Sequence, residues 1–128
     1  MSIVQKKSNY GVVETLDRFE EQVRAKGMTV FARVDHADGA AKADLQLDAN
    51  QVLIFGNPAT GTPLMRSAAT AGIDLPLKAQ AWQDAEGQTW LAYNAPRYIT
   101  ERHSINDQAI VVEVISRALA ALSEHATK

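Results

Sequence analysis

The chain contains no cysteine among its 128 residues. That absence excludes disulfide bonds, thiolate metal sites and cysteine nucleophiles, and it leaves the redox compartment undetermined. Long apolar runs are absent too, since no stretch approaches the roughly 20 apolar residues that a membrane-spanning helix needs. Residues 1–7 also lack the apolar segment of a secretory signal. We therefore expect a cytoplasmic protein without a membrane partner.

Concentrated positive charge is also missing from the sequence. The 13 lysines and arginines are scattered and are outnumbered by 15 aspartates and glutamates, which gives a formal net charge of −2. Nucleic-acid binding normally requires a patch of phosphate-neutralising side chains. The only basic run, Lys6-Lys7, has no aromatic residues interleaved with it. The composition therefore predicts no nucleic-acid partner.

The residues that are present describe one ordinary globular domain. Hydrophobic residues make up 46% of the chain and charged residues 22%, and a chain of this length normally forms a single domain, here 1–128. The hydrophobic periodicity predicts the order β-α-β-β-α-β-β-α. This order indicates an α+β fold with a mainly antiparallel five-stranded sheet. The first and last helices each carry a single apolar stripe, so we expect these two long helices to pack on one face.

The other face of the sheet is predicted to carry aromatic side chains. The alternation in the second strand places Val30, Ala32 and Val34 on one face and Phe31 on the other. The turn at residues 84–87 predicts a hairpin with a three-residue loop, which puts Trp82 directly opposite Trp90. Such a pair often only stabilises a hairpin, but an exposed apolar patch usually marks a partner surface. We therefore expect Phe31, Trp82 and Trp90 to form a homodimer interface.

A strand, a bend and a helix in succession predict a ligand site. The apolar strand 51–56 runs into a glycine-containing bend, and Thr62 with Pro63 is typical of a helix start. We expect a positive φ at the glycine that ends the strand, and free N–H groups at the helix start that bind an anion. The alternative is a rigid turn without a ligand, and it is favoured because a lone motif of this kind is weak evidence for a site. The binding candidates here are Gly56, Asn57, Gly61 and Thr62.

Polar residues at other element ends suggest chemistry. Asp35 and His36 end the second strand and begin a predicted turn over 35–39, Tyr93 and Asn94 end the fifth strand, and His103 ends a short helix. Histidine is the side chain best suited to proton transfer near neutral pH. These side chains would form a catalytic pocket only if the topology brings the two histidines together. Because their spacing is a poor metal signature, we predict no metal site, and separate structural roles are favoured.

Several segments of the chain, in the same order and at similar spacing, resemble the domain-of-unknown-function family 302. They are Phe31 to Ala37, Leu53 to Pro58, Gly61 to Met65, Leu75 to Lys78, Trp82, Asp84 to Gly87, Trp90, Tyr93-Asn94 and Glu101 to His103. The resemblance implies a small α+β domain with a topology similar to the TATA-binding-protein-like fold, often as a homodimer. It implies neither DNA binding, because a fold does not fix a function, nor any established catalytic residue.

Two functional hypotheses follow. The first is a non-catalytic homodimeric module that binds a small ligand or a partner protein, with its cofactor, if any, undefined. The second is a small enzyme or metal-dependent hydrolase that uses His36, His103, Asp35 and Tyr93, with the glycine-containing bend as an oxyanion or phosphate site.

Overall fold

The computed structural model describes residues 2–128, and its strands form one antiparallel sheet. The strands are β1 (Ile3–Lys7), β2 (Thr29–Asp35), β3 (Asn50–Gly56), β4 (Leu77–Gln83) and β5 (Thr89–Asn94). Their order across the sheet is β1-β5-β4-β3-β2, and every neighbouring pair is antiparallel. The predicted α+β class and five-stranded sheet are therefore confirmed.

Two long helices cover one face of this sheet. The helices are α1 (Val12–Ala25), α2 (His36–Lys42), α3 (Pro58–Ser67), α4 (Pro96–Arg102) and α5 (Ala109–Thr127), with a 3₁₀ helix over Ala69–Ile73. Phe19 of α1 and Phe55 of β3 are fully buried, and their rings meet edge to face with centroids 5.2 Å apart. Leu119 and Leu122 of α5 complete this core. Helices α1 and α5 thus pack on the same side, as their apolar stripes predicted.

Helix α2 replaces the turn that was predicted over residues 35–39. The Asp35 carboxylate accepts a hydrogen bond from the backbone N–H of Asp38 at 2.9 Å, which caps the helix. Aspartate is among the preferred N-cap residues because it satisfies an N–H that has no partner within the helix. The same residues that favour a turn therefore start a helix here.

A β-bulge in β2 reverses the predicted faces of that strand. The register shifts between Val30 and Ala32, so Phe31 is the extra residue. Val30 still pairs with a core residue of β3, but Arg33, rather than Ala32, is next on the helix side. The prediction that Ala32 and Val34 share a face with Val30 is therefore wrong, because a bulge shifts the alternation of side chains by one residue.

The sheet face opposite α1 and α5 carries no long helix. We call it the open face, and its strand residues are Ile3, Gln5, Lys7, Ala32, Val34, Asn50, Val52, Ile54, Lys78, Gln80, Trp82, Trp90, Ala92 and Asn94. Trp82 lies directly opposite Trp90, and their rings stack with centroids 6.3 Å apart. The hairpin loop has Gly87 at φ +84°, so the predicted hairpin and the tryptophan pairing are confirmed. Within residues 2–128, no helix is long and apolar enough to cross a membrane.

Candidate functional site

A mainly apolar pocket lies where β3 ends and α3 begins. Its volume is about 220 Å³. The residues that line this β3–α3 pocket come from β2, the end of β3 and the bend after it, α3, the segment before β4, the start of β4, and α5: Phe31, Gly56, Asn57, Pro58, Thr60, Gly61, Thr62, Met65, Leu75, Pro76, Leu77 and Ile115. All four ligand candidates that the sequence predicted in this segment are among them.

The local sequence explains why the chain bends at this point. Asn57 is the N-cap of α3, because its Oδ1 accepts a hydrogen bond from the N–H of Ala59 at 3.0 Å. Pro58 occupies the first helical position, where its missing N–H would have no partner within the helix. The N–H of Gly61 bonds to the Asn57 carbonyl at 2.9 Å, which closes the first turn.

Two predictions about this bend are wrong. Helix α3 begins at Pro58, not at Thr62, so the N–H of Thr62 belongs to the helix interior and does not form an anion site. An N-cap followed by proline occurs twice in this segment, and the earlier pair starts the helix. Gly56 does not have a positive φ. A Cβ added to it would lie 3.5 Å from the Pro76 Cβ, which is ordinary contact.

The polar groups of the pocket are few and uncharged. Oγ1 of Thr60 donates to the Asn57 carbonyl at 3.1 Å and is therefore engaged. In contrast, Nδ2 of Asn57 and Oγ1 of Thr62 make no hydrogen bond within residues 2–128. No acid, base or thiol lines the pocket in this described part of the chain. The pocket can therefore offer one amide donor and one hydroxyl to a ligand, but it cannot supply proton transfer.

A smaller apolar recess adjoins the pocket on the side of α5. Its volume is about 60 Å³, and it shares Asn57, Thr60, Leu77 and Ile115 with the β3–α3 pocket. Its deeper residues, including Leu119, are part of the core. The Asn57 side chain thus lies at the junction of two apolar spaces.

The remaining predicted candidates separate into two groups. His36 begins α2 and lines a shallow groove of about 200 Å³ on the open face, together with Tyr93, Asn94 and Lys78. Asp35 does not line that groove. It caps α2 and accepts a hydrogen bond from Nε2 of Gln51 at 3.2 Å.

His103 lies in a hydrogen-bond network elsewhere. Its Nε2 donates to Asp74 at 2.6 Å, and its Nδ1 lies 2.8 Å from the hydroxyl of Thr70. Nη1 of Arg102 bonds to both Asp74 oxygens, at 2.9 and 3.1 Å. The hydrogen bond from His103, with the charge of Arg102 beside it, holds the pKa of Asp74 below its ordinary value, although burial opposes this effect.

The two histidines do not share a site. His36 lines the shallow groove on the open face, whereas His103 is bonded to Asp74 and Thr70 and does not line that groove. Across residues 2–128, no group of three or more histidine, aspartate or glutamate side chains is arranged to hold a metal ion. The constellation of His36, His103, Asp35 and Tyr93 is therefore not assembled.

Sequence reasoning missed the far side of the pocket and the His103 network. Leu75 and Pro76 line the pocket, but they are more than ten residues from the β3–α3 bend in the sequence, and no local pattern marks them as its neighbours. Asp74 and His103 are 29 residues apart. Their pairing depends on how α4 packs beside the 3₁₀ helix.

The comparisons with known proteins agree with this architecture. The model of the family described as "Domain of unknown function DUF302" matches residues 4–123. A crystal structure of an uncharacterized conserved DUF302 protein from Bacillus stearothermophilus has a TM-score of 0.88 and 19% sequence identity, and the match covers 100% of this chain and 99% of that chain. At this identity the likeness concerns the fold alone.

Relatives in Brucella share more sequence. The chain is 44% identical over 103 residues to "Fluoride-specific ion channel FluC 1" of Brucella suis biovar 1 (strain 1330), a match that covers 80% of this chain and 41% of the relative. The FluC 1 protein of Brucella abortus biovar 1 (strain 9-941) is also 44% identical over 103 residues, with 80% and 38% covered. The matched part thus spans about two fifths of each of these relatives.

Proposed function

The chain belongs to the DUF302 family, and from this premise we propose that it is a non-catalytic domain that binds a small, mainly apolar ligand in the β3–α3 pocket. The observation that carries this proposal is the composition of the pocket. Its walls are apolar, two uncharged polar groups face it, and no titratable side chain lines it in residues 2–128. Small-molecule sites usually combine apolar walls with a few placed polar groups.

The volume of the pocket limits the ligand. About 220 Å³ is smaller than the ~300–1,000 Å³ of sites for drug-sized molecules. An apolar cavity of roughly 150 Å³ takes a benzene ring. The pocket therefore suits a single ring or a short branched chain with one polar arm. That arm would accept from the Asn57 amide and bond to the Thr62 hydroxyl.

The glycine of α3 provides a variant that blocks the pocket. A Cβ added to Gly61 would lie 3.8 Å from Leu75 Cδ1 and 3.9 Å from Met65 Cε, which are ordinary contacts with two pocket walls. The larger side chain of Gly61→Leu would then occupy the pocket itself. Gly39 in α2 offers a matched control, because a Cβ there meets nothing within 4 Å.

The test is native mass spectrometry after exposure of the purified proteins to a small-molecule extract of bacterial cells. We expect the wild type and Gly39→Leu to carry the same discrete extra mass and Gly61→Leu to carry none. A bare wild-type chain, or the same extra mass on Gly61→Leu, would contradict the proposal.

The Brucella relatives favour a second candidate function, that of an accessory domain beside a fluoride channel. They are named as fluoride-specific ion channels, and the part shared with this chain is about two fifths of their length. No helix in residues 2–128 could span a membrane, which supports a channel-forming part in the remaining three fifths. The test is fluoride efflux from vesicles that contain the Brucella suis relative without its shared part. We expect the efflux rate to change when this chain is added, and an unchanged rate would contradict the proposal.

A further inference from the structure

The open face combines an aromatic pair with unpaired positive charge. Trp82 and Trp90, the only two tryptophans of the chain, stack side by side on it. Nζ of Lys7 lies 5.6 Å from the centre of the Trp90 ring. Lys78 lies four residues from Trp82 along β4, and within residues 2–128 its Nζ donates only to the Pro76 carbonyl, at 3.4 Å. The stacked rings supply apolar surface, and the ammonium groups of the two lysines attract anions.

One carboxylate, that of Asp84, offsets part of this charge because it interacts with Lys7. The strand residues of the open face include no aspartate or glutamate, and neither Lys7 nor Lys78 has an ion-pair partner within residues 2–128. Asp84 also accepts hydrogen bonds from the Trp90 indole at 2.9 Å and from the backbone N–H groups of Glu86 and Gln88 at 3.0 and 2.9 Å. The strand residues of this face therefore carry two positive charges and no negative one, although the whole chain is negative.

The distance between Lys7 and Lys78 indicates the size of a ligand that contacts both. Lys7 on β1 shares a cross-strand row with Trp82 on β4, two strands away, and Lys78 is four residues further along β4. Strand spacings of about 4.8 Å and a rise of about 3.3 Å per residue put the Cα atoms of these lysines roughly 16 Å apart. A small anion cannot contact both, whereas an extended chain of about five residues can. Between them, Gln80 and Ala92 line the shallow groove.

We propose that the open face binds an extended, acidic segment of a partner protein, with its carboxylates on Lys7 and Lys78 and its remaining side chains against Trp82 and Trp90. A second copy of this chain fits less well, because two open faces would each bring unpaired lysines and no free carboxylate to the contact. Electrostatic complementarity of this kind selects partners and fixes their register. The proposal is independent of the β3–α3 pocket.

The two tryptophans make the test direct, because all intrinsic tryptophan fluorescence of the chain comes from this face. The probe is a capped eight-residue peptide of alternating glutamate and threonine, and its counterpart has glutamine in place of glutamate. We expect the acidic peptide to shift the emission saturably and the glutamine peptide to have no effect. Lys7→Gln and Lys78→Gln should each weaken binding about fivefold, the upper range for one exposed ion pair. Lys26→Gln, which removes another exposed lysine that has no ion-pair partner within residues 2–128, should change it less than twofold.

Four results would overturn the proposal. The first is equal binding of the acidic and the glutamine peptide. The second is an affinity for the acidic peptide that neither Lys7→Gln nor Lys78→Gln changes. A shift that appears on concentrating the protein alone, with a dimer in sedimentation equilibrium, would assign the face to a second copy. A shift produced by vesicles containing phosphatidylserine, but not by the acidic peptide, would assign it to a membrane surface.

Discussion

Removing the Asp74 carboxylate should weaken the packing of α4 against the 3₁₀ helix. The side chains of Asp74 and His103 are only 13% and 7% exposed, so water cannot readily replace their mutual hydrogen bond. The substitution Asp74→Asn keeps the shape of the side chain but removes its charge. It thereby weakens the hydrogen bonds to His103 and Arg102. Hydrogen bonds to a charged group contribute about 1.5–3 kcal/mol, and we expect the free energy of unfolding to fall by that amount at pH 7.

The pH dependence of this effect has a defined sign. Because the pKa of Asp74 is lowered in the folded protein, its stabilisation is fully present above the pKa of the unfolded chain. It is then lost as pH falls through the lower, folded value. The difference between wild type and Asp74→Asn should therefore be larger at pH 7 than at pH 3 and shrink as pH falls below about 5.

Urea denaturation followed by tryptophan fluorescence measures both effects. Asp48→Asn is the control, because Asp48 is exposed and makes no side-chain hydrogen bond within residues 2–128. A double-mutant cycle with His103→Gln should give a coupling of at least about 0.5 kcal/mol, as expected for residues in one network. If Asp74→Asn behaves like Asp48→Asn, or if its effect is the same at pH 3 and pH 7, the reasoning is refuted.

Three further substitutions follow from backbone and core geometry, and urea curves check each of them. Gly87 has φ +84°, so Gly87→Ala should lower the free energy of unfolding by about 1–2 kcal/mol; an unchanged midpoint would exclude that conformation. Gly61→Ala should raise the free energy of unfolding by roughly 0.5–1 kcal/mol, because alanine is the better helix former and its Cβ has space. A loss of stability would mean that the space beside Gly61 is filled, which would contradict an open pocket. Phe55→Ala should lower the free energy of unfolding by about 3–5 kcal/mol, since this ring is fully buried, and a loss below 1 kcal/mol would contradict the described core.

The sequence predicted those features that depend on neighbouring residues. The prediction of the tryptophan hairpin was correct because Gly87 and the residues before it define the turn, and the turn sets the register of the two strands. The predicted start of α3 at Thr62 was wrong because Asn57-Pro58 and Thr62-Pro63 are both an N-cap residue followed by proline. Only tertiary packing decides between these two starts. The bulge at Phe31 also leaves no local signal, since the strand alternates normally on both sides of it.

Contacts between distant segments could not be predicted in the same way. One side of the β3–α3 pocket, formed by Gly61 and its neighbours in the bend, was predicted. The other side was not, because Leu75 and Ile115 line the pocket only through the packing of other elements. His103 was recognised as a candidate, but its partner Asp74 depends on topology. The homodimer and the cytoplasmic location stay predictions, and sedimentation and cell fractionation are their tests.

The central claim is that the β3–α3 pocket binds a small apolar ligand, and methyl NMR with benzyl alcohol tests it most directly. This probe combines one ring with one hydroxyl group, as the pocket requires. The account predicts saturable shifts for the methyl groups of Met65, Leu75, Leu77 and Ile115, which line the pocket, and the loss of these shifts in Gly61→Leu but not in Gly39→Leu. Absent shifts at these four residues in the wild type, or shifts that persist in Gly61→Leu, would contradict it.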